Sequence, residues 1–335
     1  MPTLMTAMVL DAPGQPLRLA TLPVPRACGH DVLIAVGACG VCRTDLHVID
    51  GDLPAHLLPL VPGHEIVGTV VAGGDAAHRF RPGQRVGVPW LAGTCGSCPC
   101  CRGGRENLCH QAVFTGYDRP GGFAQYTLAD ERYCFALPDC FDDVHAAPLL
   151  CAGLIGYRAY ALTGAARRIG VFGFGAAAHL ITQLAVHQGR TVFAFTRAGD
   201  LRAQQFARSL GAAWAGAATD APPALLDAAI LFAPDGALVP QALAVTAPGG
   251  TVVCAGIHMS DIPAFPYALL WGERCVRSVA NLTRADGDAF FALVAHGEIA
   301  TVPVVYALDQ ANDAIADLRA GKLDGAAVLV PAPGT

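Results

Sequence analysis

The chain has 335 residues, 53% of them hydrophobic and only 15% charged, with a formal net charge of −5. That length suggests about two domains with a large buried core and excludes a disordered chain. An acidic balance without a basic run excludes nucleic acid as the main partner, and Gly and Pro break every apolar run short of the roughly 18 residues that span a bilayer.

No basic segment precedes an apolar one at the start, where the first cation is Arg18, so no signal peptide is expected. The 13 cysteines of such a chain read as metal ligands and buried thiols in a cytoplasmic protein, not as a disulfide framework. Residues 7–38 carry short β-rich runs, Ala7–Leu10 and Val32–Val36 among them, broken by Pro13, Gly14, Pro16, Pro23 and Pro25. Short strands with frequent turn signals predict an irregular β-barrel or sandwich. The strand Asp31–Ala38 then runs into Gly37–Gly68, where Cys42, His47, His64 and Glu65 bring together a thiolate, two imidazoles and a carboxylate. Cys and His are the donors zinc prefers. Strands over Ile66–Ala72 and Arg85–Val88 should follow, the second after the Arg81-Pro82-Gly83 turn.

Next comes Cys95-Gly-Ser-Cys98-Pro-Cys100-Cys101, with Cys109 further on. The spacing C-x2-C-x2-C-x7-C supplies four thiolates from one loop, and a closed tetrahedral S4 site is structural rather than catalytic. Cys100 could stand in for Cys101, so the register is open at this point. Residues 140–165 look helical and contain Cys151.

From Arg168 the rhythm changes. Arg168–Phe172 is an apolar run, and Gly173-Phe-Gly175-Ala-Ala-Ala178 opens a helical segment with Leu180, Leu184 and His187 at helical spacing. Strands at Thr191–Thr196, Asp227–Phe232 and Gly250–Ala255, with a helix at Asp200–Leu210, predict a parallel doubly wound sheet. Between a strand and a helix, G-x-G-x-x-A is a dinucleotide fingerprint: the glycines admit a pyrophosphate to the helix N-terminus. After about residue 284 the alternation ends in a strand Thr301–Leu308, a helix Asp309–Ala320 and a strand Ala326–Val330.

Gly63-His64-Glu65-x-x-Gly68, followed by Gly74 and Ala77, and Gly40-Val-Cys42-Arg-Thr44-Asp-Leu-His47 resemble the zinc-containing alcohol dehydrogenases of the medium-chain dehydrogenase/reductase superfamily. The resemblance spans nearly the whole chain and implies an α/β fold. An irregular β-rich, GroES-like catalytic domain would take residues 1–151 and 285–335, and a Rossmann domain residues 152–284. It implies a catalytic zinc on Cys42, His64 and Cys151, with Asp45 and Glu65 orienting the ligands, and a structural zinc on Cys95, Cys98, Cys101 and Cys109. Family spacing thus prefers Cys101 over Cys100.

By the same resemblance, Thr44 would hydrogen-bond the reacting oxygen and pass its proton through the coenzyme ribose to His47. Trp90 would wall the substrate pocket, and Leu53, where some small-alcohol relatives carry Trp, would leave it room for medium-chain or aromatic primary alcohols. Arg43 would grip the coenzyme pyrophosphate beside Gly173, Gly175 and Ala178. Two departures stand out: Ile155 occupies a place where relatives often carry Thr, and Ala326 one where many carry a second pyrophosphate Arg.

The expected function is interconversion of alcohols with aldehydes or ketones using NAD(P), in a homo-oligomer, dimer or tetramer. NADP is favoured because the second strand ends in Thr196-Arg197 without the usual carboxylate, although Asp200 stands three residues on. Two alternatives belong to other classes. One is a coenzyme-binding relative without zinc chemistry, and the other an interaction protein scaffolded by the Cys95–Cys109 zinc lobe.

Overall fold

Strand β1, Asp31–Val41, is the spine of the first of two units in this computed structural model, which describes residues 3–54, 57–323 and 325–332. That unit comprises Met1–Cys151, Asn281–Gly297 and Thr301–Thr335; the second comprises Ala152–Ala280 and Glu298–Ala300. Val32 and Ile34 are fully buried, and the strand is sealed on both edges. On one edge it pairs antiparallel with β2, Glu65–Gly73, and on the other with Tyr126–Asp130 and then Ala326–Val330. Strand β3, Arg85–Val88, and beyond it Phe135–Ala136 extend the sheet past β2, and Pro303–Ala307 lies outside Ala326–Val330 to complete seven strands.

Register is what matters for function. Gly40 lies opposite Glu65 and Cys39 opposite Ile66. The residue after β1 is Cys42, which caps helix α1, Arg43–Asp50, and the residue before β2 is His64. Antiparallel pairing therefore delivers two potential ligands to one end of the sheet, although they are 22 positions apart in sequence.

The second unit is a six-stranded parallel sheet. Its strands are β4 (Arg168–Phe172), β5 (Thr191–Thr196), β6 (Trp214–Ala217), β7 (Leu226–Leu231), β8 (Thr246–Cys254) and β9 (Cys275–Ser278), ordered β6-β5-β4-β7-β8-β9. Counted from β4, this is the 3-2-1-4-5-6 order of a dinucleotide-binding sheet. Its central strands read as continuous Val, Ile, Ala and Phe because helices cover both faces, and Phe172 stacks on Phe195 at 4.1 Å between ring centroids. Helix α2, Ala176–His187, follows β4, and α3, Leu201–Ser209, follows β5.

One expected element is corrected. Residues 140–165 do not form one helix but a turn of helix Asp143–Ala146, a 3-10 turn Ala147–Leu150 and a helix Ala152–Ala161. Pro148 has no N–H to carry an α-helical ladder onward, and Cys151 leaves helical geometry at φ −124° and ψ −70°. The C-terminal helix likewise opens as a 3-10 turn, Leu308–Gln310, before Ala311–Arg319. Among the described residues, no helix is long and apolar enough to cross a membrane.

Candidate functional site

Cys42 occupies the N-cap of α1, where its Sγ accepts the Thr44 N–H at 3.3 Å and its own N–H donates to Asp45 Oδ2 at 2.8 Å. This reciprocal cap holds the sulfur at the positive end of the helix, where a thiolate is favoured. The other Asp45 oxygen accepts from His64 Nδ1 at 3.1 Å, and both residues are about 1% exposed. A carboxylate only accepts, so Nδ1 carries the hydrogen of that contact and Nε2 faces the other way, towards Cys42 Sγ at 3.2 Å.

Cys151 arrives from the 3-10 turn, 109 positions from Cys42, and its sulfur stands 3.8 Å from Cys42 Sγ. Leu150 is wholly buried beside it, and a Cβ on Gly87 of β3 would lie 2.6 Å from a Leu150 methyl, so only glycine admits that side chain. Arg85, two residues earlier, binds Asp143 Oδ1 at 2.7 Å and the carbonyls of Pro138 and Phe141. These anchors seat the segment that presents Cys151, and sequence reading did not single them out.

Glu65, expected to orient the ligands, places a carboxylate oxygen among the donor atoms of Cys42, His64 and Cys151, all within 4.8 Å of one another. The cause is its cross-strand partner: an added Cβ on Gly40 would lie 1.9 Å from Glu65 Oε2. Contact with Cys151 and burial push the Cys42 thiol well above the usual cysteine range. Burial and the Cys42 charge do the same to the Glu65 carboxyl. Two sulfurs, a carboxylate and an inward-facing imidazole nitrogen thus crowd one buried point, which suits a cation. The geometry suits zinc in particular, since zinc–sulfur bonds of about 2.3 Å in a tetrahedron make sulfur–sulfur edges of about 3.8 Å.

The second donor set is Cys95, Cys98, Cys101 and Cys109. Its sulfur–sulfur distances are 3.9 Å for Cys95–Cys101 and 3.5 Å for both Cys98–Cys101 and Cys95–Cys109, far beyond a disulfide. The fold selects Cys101 over Cys100. Backbone N–H groups converge on these sulfurs: Cys98 N on Cys95, Cys101 N on Cys98, and Gln111 N on Cys109. Donors from Ser97 and Cys98 draw the Cys95 thiol down to about 6. The lobe is tied to the helix Arg284–Leu293 by Glu106, which accepts from the Arg284 backbone at 3.1 Å and its guanidinium at 3.2 Å.

Trp90 meets the His64 ring edge-on at 5.1 Å and stacks on Phe114 at 5.0 Å and Tyr117 at 5.9 Å. Leu53 is half-buried against the same core. Thr44 and His47 are three residues apart on α1, and Arg43 beside them is exposed.

In the second unit, Gly173 takes φ +83° and a Cβ on it would strike Ala233 at 2.7 Å, so the tight turn requires glycine. Gly175 caps α2 with open space where a Cβ would sit, and Ala178 is wholly buried. Small residues here leave the N-terminus of α2 approachable, as a pyrophosphate needs.

Of the Thr196-Arg197 pair, only Arg197 is exposed. Thr196 is 4% exposed, with its hydroxyl within reach of the Arg197 and Gly216 carbonyls and accepting from Gln204 Nε2, so it cannot meet a phosphate as expected. Asp200 is committed as the N-cap of α3, accepting from Ala203 N at 3.0 Å.

Residues 29–139 match the model of the alcohol dehydrogenase GroES-like domain. The chain is 46% identical to the "Probable alcohol dehydrogenase AdhA" of Mycobacterium tuberculosis (strain CDC 1551 / Oshkosh), over 97% of each chain. A Sinorhizobium meliloti 1021 protein assigned as a zinc-binding dehydrogenase, solved bound to NADP, superposes with a TM-score of 0.87 at 29% identity, over 98% of this chain and all of the other. The acetophenone reductase of Geotrichum candidum NBRC 4597, in complex with NAD, also gives 0.87, at 27% identity and 98% coverage of both. A full-length likeness of this strength, on a chain that assembles these donor sets, identifies it as a zinc-containing alcohol dehydrogenase of the medium-chain dehydrogenase/reductase superfamily, which interconverts alcohols and carbonyl compounds with a nicotinamide coenzyme.

Proposed function

We propose that this chain binds two zinc ions with separate roles and oxidises medium-chain or aromatic primary alcohols, or reduces the matching aldehydes, preferentially with NADP. Cys42, His64 and Cys151 would hold the catalytic ion with Glu65 in reach, and Cys95, Cys98, Cys101 and Cys109 the structural one. The observation that carries this reading is the pair of donor sets, whose sulfur–sulfur edges of 3.5–3.9 Å bracket the zinc–thiolate tetrahedron. When bound, zinc supplies Lewis acidity that makes an alcohol easier to deprotonate and a carbonyl easier to reduce, and the nicotinamide supplies the hydride acceptor or donor.

The chain's own residues do the rest. Asp45 holds His64 so that Nε2 faces the donor set. Thr44, one turn of α1 from His47, takes the hydrogen bond of the substrate hydroxyl, and His47 takes its proton on to solvent. Trp90, braced by Phe114 and Tyr117, offers a flat apolar wall beside His64, which suits an aromatic or extended substrate. Leu53 leaves space that a Trp would fill.

For the coenzyme, the exposed Arg197 suits a 2′-phosphate, and Asp200 is occupied at its cap. Assembly of copies along β9 is proposed too. This is an edge strand with exposed Cys275, Arg277 and Ser278, and nearby Tyr267 and Trp271 are 68% and 67% exposed. Such edges and aromatic patches are usually covered.

The central test is metal analysis of active enzyme. Two zinc ions per chain are expected; one per chain at full activity overturns the two-site reading.

A further inference from the structure

We propose that Asp52 is a positioning residue for His47, holding the imidazole in the tautomer whose Nε2 can take a proton. The inference rests on the reading of His47 as the proton acceptor. His47 Nδ1 lies 2.7 Å from Asp52 Oδ2. A carboxylate has no hydrogen to give, so Nδ1 is the donor and the lone pair of the neutral ring resides on Nε2.

Local sequence builds this contact. Helix α1 ends at Gly51, whose φ of +79° is left-handed, and the N–H groups of Gly51 and Asp52 both return to the His47 carbonyl, the latter at 3.0 Å. This Gly-ended cap folds Asp52 back over the last turn, onto a side chain five positions earlier. A Cβ at position 51 would be strained by its φ and would lie 2.8 Å from Pro13 Cβ.

A second carboxylate, Asp50, also faces His47, but Arg319 engages both its oxygens, at 2.7 and 2.6 Å. Arg319 stands near Asp52 as well, and its fork is already filled by Asp50. Asp52 is therefore left for Nδ1. The His47 side chain is 22% exposed and that of Asp52 54%, so a proton on His47 has a short way to water.

The proton balance is simple. The hydroxyl proton of the alcohol passes by way of Thr44 to His47 Nε2, the imidazolium rests against the ionised Asp52, and Nε2 then gives the proton to water. Asp52 only accepts the Nδ1 hydrogen bond throughout.

The test compares Asp52→Asn, His47→Gln and the double variant as purified zinc-loaded enzymes, with benzyl alcohol and the better of NAD and NADP. Single-turnover coenzyme reduction is the rate measured. Asp52→Asn should slow it about tenfold with KM within about twofold, a part of the roughly 10²–10⁴-fold that general base catalysis contributes, and change it less than about twofold in the His47→Gln background. A readout independent of activity is nitrogen-15 NMR of labelled histidine: His47 should hold its proton on Nδ1 in the wild type and show mixed tautomers in Asp52→Asn.

If His47→Gln is slow while Asp52→Asn is normal in rate and tautomer, Asp52 does not position His47 and the relay stands alone. An equal loss from Asp52→Asn with or without His47 means that it acts elsewhere, which also overturns the proposal. If His47→Gln reacts at the wild-type rate, the relay reading fails and takes this inference with it.

Discussion

Glu65 reaches the donor atoms of Cys42, His64 and Cys151 because Gly40, directly opposite it on the neighbouring strand, has no side chain: a Cβ there would lie 1.9 Å from Glu65 Oε2 and 2.9 Å from Glu65 Cβ. Gly40→Ala should therefore force the carboxylate out of the donor set. Overpacking of this kind costs about 1–3 kcal/mol. Denaturant unfolding should show that loss, and pairing the change with Glu65→Ala should relieve most of it. An alanine at position 40 that costs nothing would mean the carboxylate has somewhere else to go.

The two donor sets should fail differently. Cys42→Ala removes a ligand from the set beside Thr44 and His47, so turnover should fall by about 10³-fold or more while the melting temperature barely moves. Cys98→Ala opens the closed four-sulfur lobe, where binding energy is folding energy. Its melting temperature should drop by roughly 4 °C, the shift produced by losing about 3 kcal/mol in a chain of this size. Zinc counts and melting curves on both variants check the division, which a fall in stability confined to Cys42→Ala would reverse.

Coenzyme choice should turn on Arg197. A charge-assisted contact contributes about 1.5–3 kcal/mol, so kcat/KM should favour NADP over NAD on the order of ten- to a hundredfold. Arg197→Ala should erase most of that ratio, whereas Thr196→Val should leave it nearly unchanged, since the Thr196 hydroxyl faces inward. A wild type that prefers NAD counts against the Arg197 reading.

Acid should reach Glu131 late, and weaken the fold when it does. Burial raises its carboxyl, but N–H donors from His78, Arg79 and Phe80 together outweigh that and hold it below the usual range. A carboxyl lowered in the folded state stabilises above its unfolded value of about 4.3, and that contribution is lost as pH falls through the folded value. Glu131→Gln should cost about 1–3 kcal/mol at pH 7. The gap between wild type and variant should narrow as pH drops below about 4; a gap that is the same at pH 3 and pH 7 would assign the cost to packing.

What the sequence determined by itself was local. Four thiolates between Cys95 and Cys109, a glycine turn between β4 and α2, and Cys42 just past a strand end are legible because each depends on a few consecutive residues and on backbone preferences that travel with them. The parallel sheet was legible for a similar reason, since strands buried on both faces read as apolar runs wherever they occur. The choice of Cys101 over Cys100 was already at the edge of this range, because adjacent cysteines differ only in the direction that one helical turn gives their side chains.

The tertiary structure decided everything that required two distant segments to meet. Cys151 joins Cys42 across 109 positions because Leu150 seats against Gly87, and no spacing rule contains that contact. Glu65 places its carboxylate beside Cys42, His64 and Cys151 because register sets it against a glycine, and a shift of one residue would turn it to the other face. The Thr196 hydroxyl, read as a phosphate contact, is consumed by Gln204 and the Gly216 carbonyl. Spacing says which groups are available, but the direction a side chain takes is set by its neighbours in space, because a buried polar group must spend its hydrogen bonds on whatever packs against it.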